Sequence, residues 1–425
     1  MEAIPINSVT YTLEDSLQRQ RAEFHSFSKR PYFARAKEAE LLSALGSSLI
    51  KVVLGPRRAG KSRLIQKILE EKKIAYLNFD DETFRGISGD ALMDASHKVY
   101  PHADFWYLDE IQDFPDWETF VNKLHRRNYN VVLTGSNAKL LSTELATALT
   151  GRHIAIELLP FSFEEYIAAT CQIPSWINFQ FYLERGGYPE VLFEPAIDAG
   201  SYLSTLFDSI VLKDLVKRKK IRNPSYLTNT LSLLVNNVAS RISSRSLSKA
   251  LHGSPSVTSV ENYLHYFEEA YLVETIGAFS FKTKARLQSE RKPYLIDTGV
   301  LGALSAMNLP ILSKQLENCI YLTLRGRRKI QNHSLFYYRS ETGKEIDFLI
   351  REGHQTTDLI QVCLNMSSEE TREREVSALL QAKKVFVDAK LLIITANEAG
   401  AVKIEGNSEI KLVPAHIYCS KGDSV

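Results

Sequence analysis

The stretch Gly55-Pro56-Arg57-Arg58-Ala59-Gly60-Lys61-Ser62 constrains this chain more than any other, because it meets G-x-x-x-x-G-K-[ST] at every fixed position. Before it, Leu49 to Leu54 (LIKVVL) is a short apolar, β-branched run that predicts a buried strand. After it, Arg63 to Glu70 sets Leu64, Ile65, Ile68 and Leu69 on one helical face. Strand, glycine turn and helix together make a cradle for a polyphosphate. Gly55 and Gly60 allow a bend that turns successive N–H groups inward, and the helix N-terminus adds partial positive charge. Lys61 is placed for the β- and γ-phosphates and the Ser62 hydroxyl for Mg2+. ATP and Mg2+ are therefore the expected cofactors, with Gly55 to Arg63 as the expected nucleotide loop. Arg57 and Arg58 have three readings: a phosphate contact, a contact to a neighbouring subunit, or solvent.

Ile74 to Asp80 predicts a second strand, and Phe105-Trp106-Tyr107-Leu108-Asp109-Glu110 a third that ends in two carboxylates. Downstream of a phosphate loop, this ending assigns Asp109 to the Mg2+ shell and Glu110 to activation of the attacking water. Asn130 to Asn137 is a further strand running into polar residues. In a parallel sheet its C-terminal end lies where ligands bind, so Ser136 and Asn137 are candidates to sense the γ-phosphate. Both residue types also cap helices, and KLLSTELATAL (138–148) predicts a helix next, so one can cap while the other senses. Arg152 reads either as a finger reaching a phosphate, in cis or across a subunit boundary, or as a surface arginine.

GPRRAGKS, YLDEIQDFPDW (107–117), LTGSNAKLL (133–141), LTGR (149–152) and LLPFSFEEY (158–166) together resemble the AAA+ branch of P-loop ATPases. More narrowly, the chain is similar to a prokaryotic group in which this module is fused to a C-terminal domain of unknown function. The resemblance runs from about residue 30 to the end. It implies an α/β fold: a P-loop NTPase (AAA+) core at 31–160 after an N-terminal extension at 1–30. A helical lid follows at 161–236, a winged helix at 237–300 and a restriction-endonuclease-like α/β domain at 301–425. ATP hydrolysis is the implied activity.

The region from Phe161 to about Asn236 is patterned as helices around Arg185-Gly186-Gly187-Tyr188-Pro189. Its run Lys217 to Lys220, with Arg222, is the densest basic stretch, and Lys217 and Arg218 are candidate nucleic-acid contacts; a solvated helix face is the other reading. Ser246 to Leu251, the turn His252 to Pro255, and Val257 to Ala270 resemble a helix-turn-helix, with Val260, Tyr263, Leu264 and Phe267 facing inward. Strands at Leu272–Phe281 and Arg291–Asp297 would flank a wing carrying Lys282, Lys284, Arg286 and Arg291. Such a unit binds duplex DNA in many proteins and is only a packing module in others.

In the last region, a helix at Lys314–Leu324 carries Glu317. Strands follow at Phe336–Arg339, Glu345–Ile350 and Leu359–Cys363, then a helix at Glu369–Ala382 and a strand at Leu391–Thr395. The order is similar to the restriction-endonuclease-like fold, whose nucleases place an Asp on one strand and E-x-K on the next. Asp347 matches the first position, but the second motif is Gln361-Val362-Cys363, so its acid and its lysine are both replaced. Glu317, Asp347 and Gln361 are then a vestigial metal site, and a binding or assembly role is expected in place of DNA cleavage.

The bulk numbers restrict partners. With 425 residues and a formal net charge of +2, no whole-chain charge argues for nucleic acid; only local patches can. The cysteines Cys171, Cys319, Cys363 and Cys419 form no CxxC pair, so free thiols in a reducing cytosol are expected. The N-terminus does not read as a signal peptide and no apolar run approaches a membrane span, so a cytoplasmic location and no membrane partner are expected. The expected partner is ATP, with DNA and either a protein partner or further copies of the chain as candidates. A slow nucleotide-dependent switch or scaffold is the alternative to a DNA-acting ATPase.

Overall fold

The computed structural model describes residues 12–27, 31–137, 149, 151–252, 254–282, 284, 286, 289–305, 311–327, 334–404 and 409–421. The helix expected at 138–148, the first eleven residues, and Thr150 and Gly253 lie outside that set. The chain divides into two compact units, residues 1–158 and 159–425.

The first unit is built on five parallel strands: β1 (Ile50–Leu54), β2 (Ile74–Asn78), β3 (Phe105–Asp109), β4 (Asn130–Gly135) and β5 (His153–Glu157). Their spatial order is β2-β3-β4-β1-β5. Around them run α1 (Leu13–Phe27), α2 (Glu38–Leu45), α3 (Lys61–Leu69), α4 (Gly89–Val99) and α5 (Trp117–Arg126). Every residue of β1 is buried. Ile50, Val52 and Leu54 join one core with Trp106, Leu108 and Leu133, while Val53 joins a second core with Tyr107, Val132, Leu64 and Ile65. Both sheet faces are covered, which is why these strands read as continuous apolar runs rather than alternating ones.

Two strands differ from the sequence reading. The second strand stops at Asn78, where its side-chain Oδ1 accepts from the Asp80 N–H (3.1 Å) and turns the chain. Strand β5 was not expected at all: it is an edge strand with half-exposed and exposed positions, and its short stretch lacks an apolar run.

The second unit opens with helices Phe163–Thr170, Trp176–Arg185, Pro189–Phe193, Ala199–Ile210 and Pro224–Asn236, with a π-helical stretch at Val211–Lys217. Helices Ser244–Ala250 and Val257–Glu269 follow, then an antiparallel pair, β6 (Val273–Gly277) and β7 (Arg291–Leu295), shorter than the sequence suggests. Next come helices Thr298–Leu304 and Ile311–Arg327. The last part holds β8 (Leu335–Arg339), β9 (Glu345–Glu352), β10 (Gln355–Val362), β11 (Lys390–Thr395), β12 (Gly400–Lys403) and β13 (Glu409–Pro414). These form one mixed sheet of order β12-β13-β11-β10-β9-β8, with helix Glu369–Lys383 packed on it. β8, β9 and β10 are antiparallel neighbours, and β10, β11 and β13 are parallel.

Candidate nucleotide-binding site

The glycine-rich loop leaves the C-terminal end of β1, in the middle of the sheet. Gly55 has φ +151°, and a Cβ there would stand 1.9 Å from the Leu158 carbonyl oxygen, so only glycine fits between the loop and the chain leaving β5. Gly60 (φ 94°) turns the chain into α3, whose first residue is Lys61. The loop is braced from outside by Arg35, a buried side chain whose Nη1 donates to the Ala59 carbonyl (2.8 Å). Arg63 lies over the Tyr32 ring, 5.6 Å from its centroid, so the segment before α2 packs against the first turn of α3.

Lys61 is buried. Its ammonium donates to the carbonyls of Gly55 and Pro56, each at 2.9 Å, and lies 3.9 Å from a Glu110 carboxylate oxygen. The Ser62 hydroxyl donates to Asp109 Oδ1 at 3.1 Å, so the two residues expected to share a Mg2+ ion already touch. Asp109 also accepts from the hydroxyls of Thr134 and, at 3.3 Å, Tyr76. Thr134 Oγ1 in turn accepts from the Glu110 N–H (2.9 Å), so one β4 hydroxyl fixes both acidic positions at the end of β3. Burial pushes the Asp109 carboxyl above its ordinary value, and the neighbouring Glu110 charge adds to it. Burial acts the same way on Glu110. There the Lys61 ammonium and the Arg57 guanidinium, with hydrogen bonds from Gln112 and Ser136, outweigh it and hold the carboxyl below its usual value.

Glu110 adopts φ 51°, a left-handed conformation that starts the short turn Ile111–Asp113. That turn brings Gln112 back over the strand ends. Its Nε2 donates to Glu110 (2.5 Å) and approaches Ser136 Oγ at 3.3 Å. Ser136 is buried beside these groups and Asn137 follows at the end of β4. Lys61, Ser62, Asp109, Glu110 and Ser136 are thus gathered at one end of the sheet. Thr134, Tyr76 and Gln112 belong with them and were not singled out from sequence, although Thr134 and Gln112 lie inside the strings LTGSN and DEIQ. Arg152 is elsewhere. It is exposed and precedes His153, which pairs with Ile50, whereas Glu157 pairs with Leu54. That puts Arg152 at the far end of β5 from the loop, roughly 16 Å of strand away.

The remaining candidates lie in the second unit. Lys217 is exposed; Arg218 lies 3.6 Å from Asp214, and Lys219 is paired with Glu269 and sits over the Tyr266 ring. Lys282 and Lys284 are exposed, Arg286 is half-buried, and Arg291 pairs with Glu261 at 3.3 Å. Glu317, Asp347 and Gln361 do come together, around a lysine that sequence reasoning missed. Lys292, on β7 and 1% exposed, places its ammonium 3.3 Å from Glu317, 2.8 Å from Glu345 and 3.0 Å from Asp347. The second Asp347 oxygen accepts the Val362 N–H (3.0 Å), and Gln361 accepts the Asp347 N–H (2.8 Å) while donating to Glu375 (2.7 Å). Burial and the Asp347 charge push Glu317 up to about 7 against the opposing pull of Lys292.

Comparison with known proteins supports an AAA-type P-loop core. Residues 47–167 match the AAA domain; residues 177–310 and 313–418 match two domains of unknown function, DUF8612 and DUF4143. An uncharacterized protein of Methanocaldococcus jannaschii is 33% identical over 392 residues, covering 86% of this chain and 87% of the relative. The chain belongs to that protein's family of AAA-type P-loop proteins. Another uncharacterized member, from Haemophilus influenzae, is 29% identical over 399 residues, covering 88% of this chain and 96% of its own length. The Walker-type ATPase PABY2304 of Pyrococcus abyssi matches 65% of this chain and 99% of its own, at 14% identity and TM-score 0.43, too distant to bear on the site. The AAA domain implies nucleotide binding, and no helix among the described residues is long and apolar enough to cross a membrane.

Proposed function

We propose that this AAA-type protein hydrolyses ATP and uses the cycle to move the domains that follow its P-loop unit. The observation that carries the reading is the Ser62–Asp109 contact at 3.1 Å, set directly beside Lys61 and Glu110. A hydroxyl and a carboxylate are hard oxygen donors suited to Mg2+, and Gly55 lets the loop close against the chain leaving β5. Mg2+, when held by Ser62 and Asp109, supplies positive charge to the β- and γ-phosphates. Lys61 turns from its two carbonyls to the phosphates, Glu110 takes a proton from the attacking water, and Ser136, with Asn137 beside it, reports the γ-phosphate. Arg57, Arg58 and Arg63 flank the phosphate path.

The later domains are read as a helical lid (161–236), a winged helix (237–300) and a degenerate restriction-endonuclease-like domain (301–425), after a core at 31–160. The paired helices 244–250 and 257–269 with the β6–β7 pair support the second, and the β9–β10 placement of Asp347 and Gln361 supports the third. Lys292 occupies the centre of the carboxylates a nuclease would offer to a metal, so supercoiled DNA should stay uncut with Mg2+ or Mn2+. Nucleic acid remains the proposed partner through Lys217, Lys282, Lys284 and Arg286. A second reading, a slow ATP-dependent switch for a protein partner, is favoured by one observation: Arg218, Lys219 and Arg291 are each paired with an acid of the same unit. Steady-state ATP hydrolysis with and without DNA, with Glu110→Gln as the blank, separates them. DNA stimulation lost on neutralising Lys282, Lys284 and Arg286 supports the first; slow turnover indifferent to DNA supports the second. Binding of ATP with no turnover above the blank overturns hydrolysis itself.

A further inference from the structure

The proposed hydrolysis leaves one need unmet. An attacking water has two protons, and both need acceptors if its lone pair is to point at the γ-phosphorus. Glu110 accepts one. The best-placed group for the other is Gln112. Its orientation is set by its neighbours: the side facing the Glu110 carboxylate at 2.5 Å must be the NH2, because an oxygen there would repel the anion. That leaves Gln112 Oε1 on the other side, and this oxygen is buried with no hydrogen-bond partner among the described residues. A buried acceptor left unpaired costs stability, so the position is expected to have a use. The same NH2 reaches Ser136 at 3.3 Å, which ties the amide to both strand ends that frame the γ-phosphate.

The state of Lys61 gives Gln112 a second task. The Lys61 ammonium lies 3.9 Å from Glu110. Phosphates draw that ammonium away, and Glu110 then keeps its position through Gln112 and Ser136. We infer that Gln112 accepts a hydrogen bond from the second O–H of the attacking water through Oε1 while its NH2 holds Glu110, so that one side chain frames both base and nucleophile. In the step, the water oxygen bonds to the γ-phosphorus as the bond from that phosphorus to the β–γ bridging oxygen breaks, and its electron pair leaves with ADP. One water proton passes to Glu110; the other stays on the phosphate product, directed at Gln112.

This rests on the ATPase reading above, and the test separates the two. Gln112→Met keeps the shape and removes both hydrogen bonds; Gln112→Glu keeps an acceptor and removes the donor. Single-turnover hydrolysis of ATP-Mg2+ is measured against pH, with affinity for a fluorescent ATP analogue and melting temperature as controls. The expected result is a rate about 10- to 100-fold lower in Gln112→Met with affinity within about twofold of the parent. In Gln112→Glu, activity returns in part and the acid limb of the profile moves to higher pH, because a second carboxylate faces Glu110. A Gln112→Met rate within about twofold of the parent, or an affinity loss as large as the rate loss, overturns the inference. If the parent chain binds the analogue but turns over no faster than Glu110→Gln, the ATPase reading fails and the inference falls with it.

Discussion

Gly55 shows how one residue type decides the site. Replacing it with alanine sets a methyl 1.9 Å from the Leu158 carbonyl oxygen and 2.9 Å from its carbon, both backbone atoms that cannot step aside alone. The loop or the end of β5 must shift, and the cradle of N–H groups shifts with it. Gly86 makes a control: it too has positive φ (+77°), but nothing lies within 4 Å of its Cβ position. Gly86→Ala should cost only left-handed strain, about 1–2 kcal/mol, with nucleotide affinity unchanged. Gly55→Ala should cost on the order of 2–4 kcal/mol and weaken affinity at least about tenfold. Urea unfolding and titration with a fluorescent ATP analogue check both; equal affinities in the two variants would contradict the close approach at Leu158.

At the scale of elements, Asp297 is a pin between helices distant in sequence. It accepts the Gly187 N–H (2.6 Å) after helix Trp176–Arg185 and the Gly299 N–H (2.9 Å) at the start of helix Thr298–Leu304. Burial pushes its carboxyl up to about 6, against the lowering effect of those N–H groups. Because the folded value lies above the unfolded one of 3.8, the folded chain holds the proton more tightly. This contribution to stability is therefore greatest below about pH 4 and declines by up to about 3 kcal/mol as pH rises towards 6. Asp297→Asn should flatten that part of the stability profile, read by urea unfolding from pH 4 to 7; an unchanged slope would place the titration elsewhere. Gly187 was visible in the sequence, but its partner 110 residues away was not. The same contrast runs through the fold. β1, its loop and α3 are contiguous, so hydrophobic pattern and turn chemistry suffice to read them. β5 and the β12–β13 pair carry exposed positions and no apolar run, so only pairing reveals them. Within the site, Lys61, Ser62, Asp109 and Glu110 follow from motif spacing. Gln112 takes its meaning from the left-handed turn at Glu110, which no local propensity announces.

For the molecule as a whole, the second unit holds an internal ion cluster where a metal centre was the alternative. One ammonium, Lys292, faces Glu317, Glu345 and Asp347, and it reaches them from the β6–β7 pair, outside the six-stranded sheet. The lysine of the cluster thus comes from a strand other than those of the sheet that carries Asp347 and Gln361, and it binds the carboxylates directly. Its burial makes the cluster a stability device with a definite sign. Removing the ammonium leaves three carboxylates close together in a poorly hydrated space, and breaking such a pair costs about 3–5 kcal/mol. Lys292→Met, which keeps the length and loses the charge, should lower the unfolding transition of residues 159–425 by that amount at pH 7. The loss should shrink as pH falls. Without Lys292 the carboxyls are pushed further above their ordinary values, so the folded state takes up protons that the unfolded chain does not. Glu317, already pushed up to about 7 with the lysine in place, is the first to do so. Melting followed by circular dichroism at pH 5, 7 and 8 should show the variant nearest to the parent at pH 5. A deficit equal at all three would mean that lost packing, not charge, is what Lys292 contributes. Retained binding of an ATP analogue shows that the P-loop unit is intact throughout, and assigns the loss to the unit in which the cluster lies.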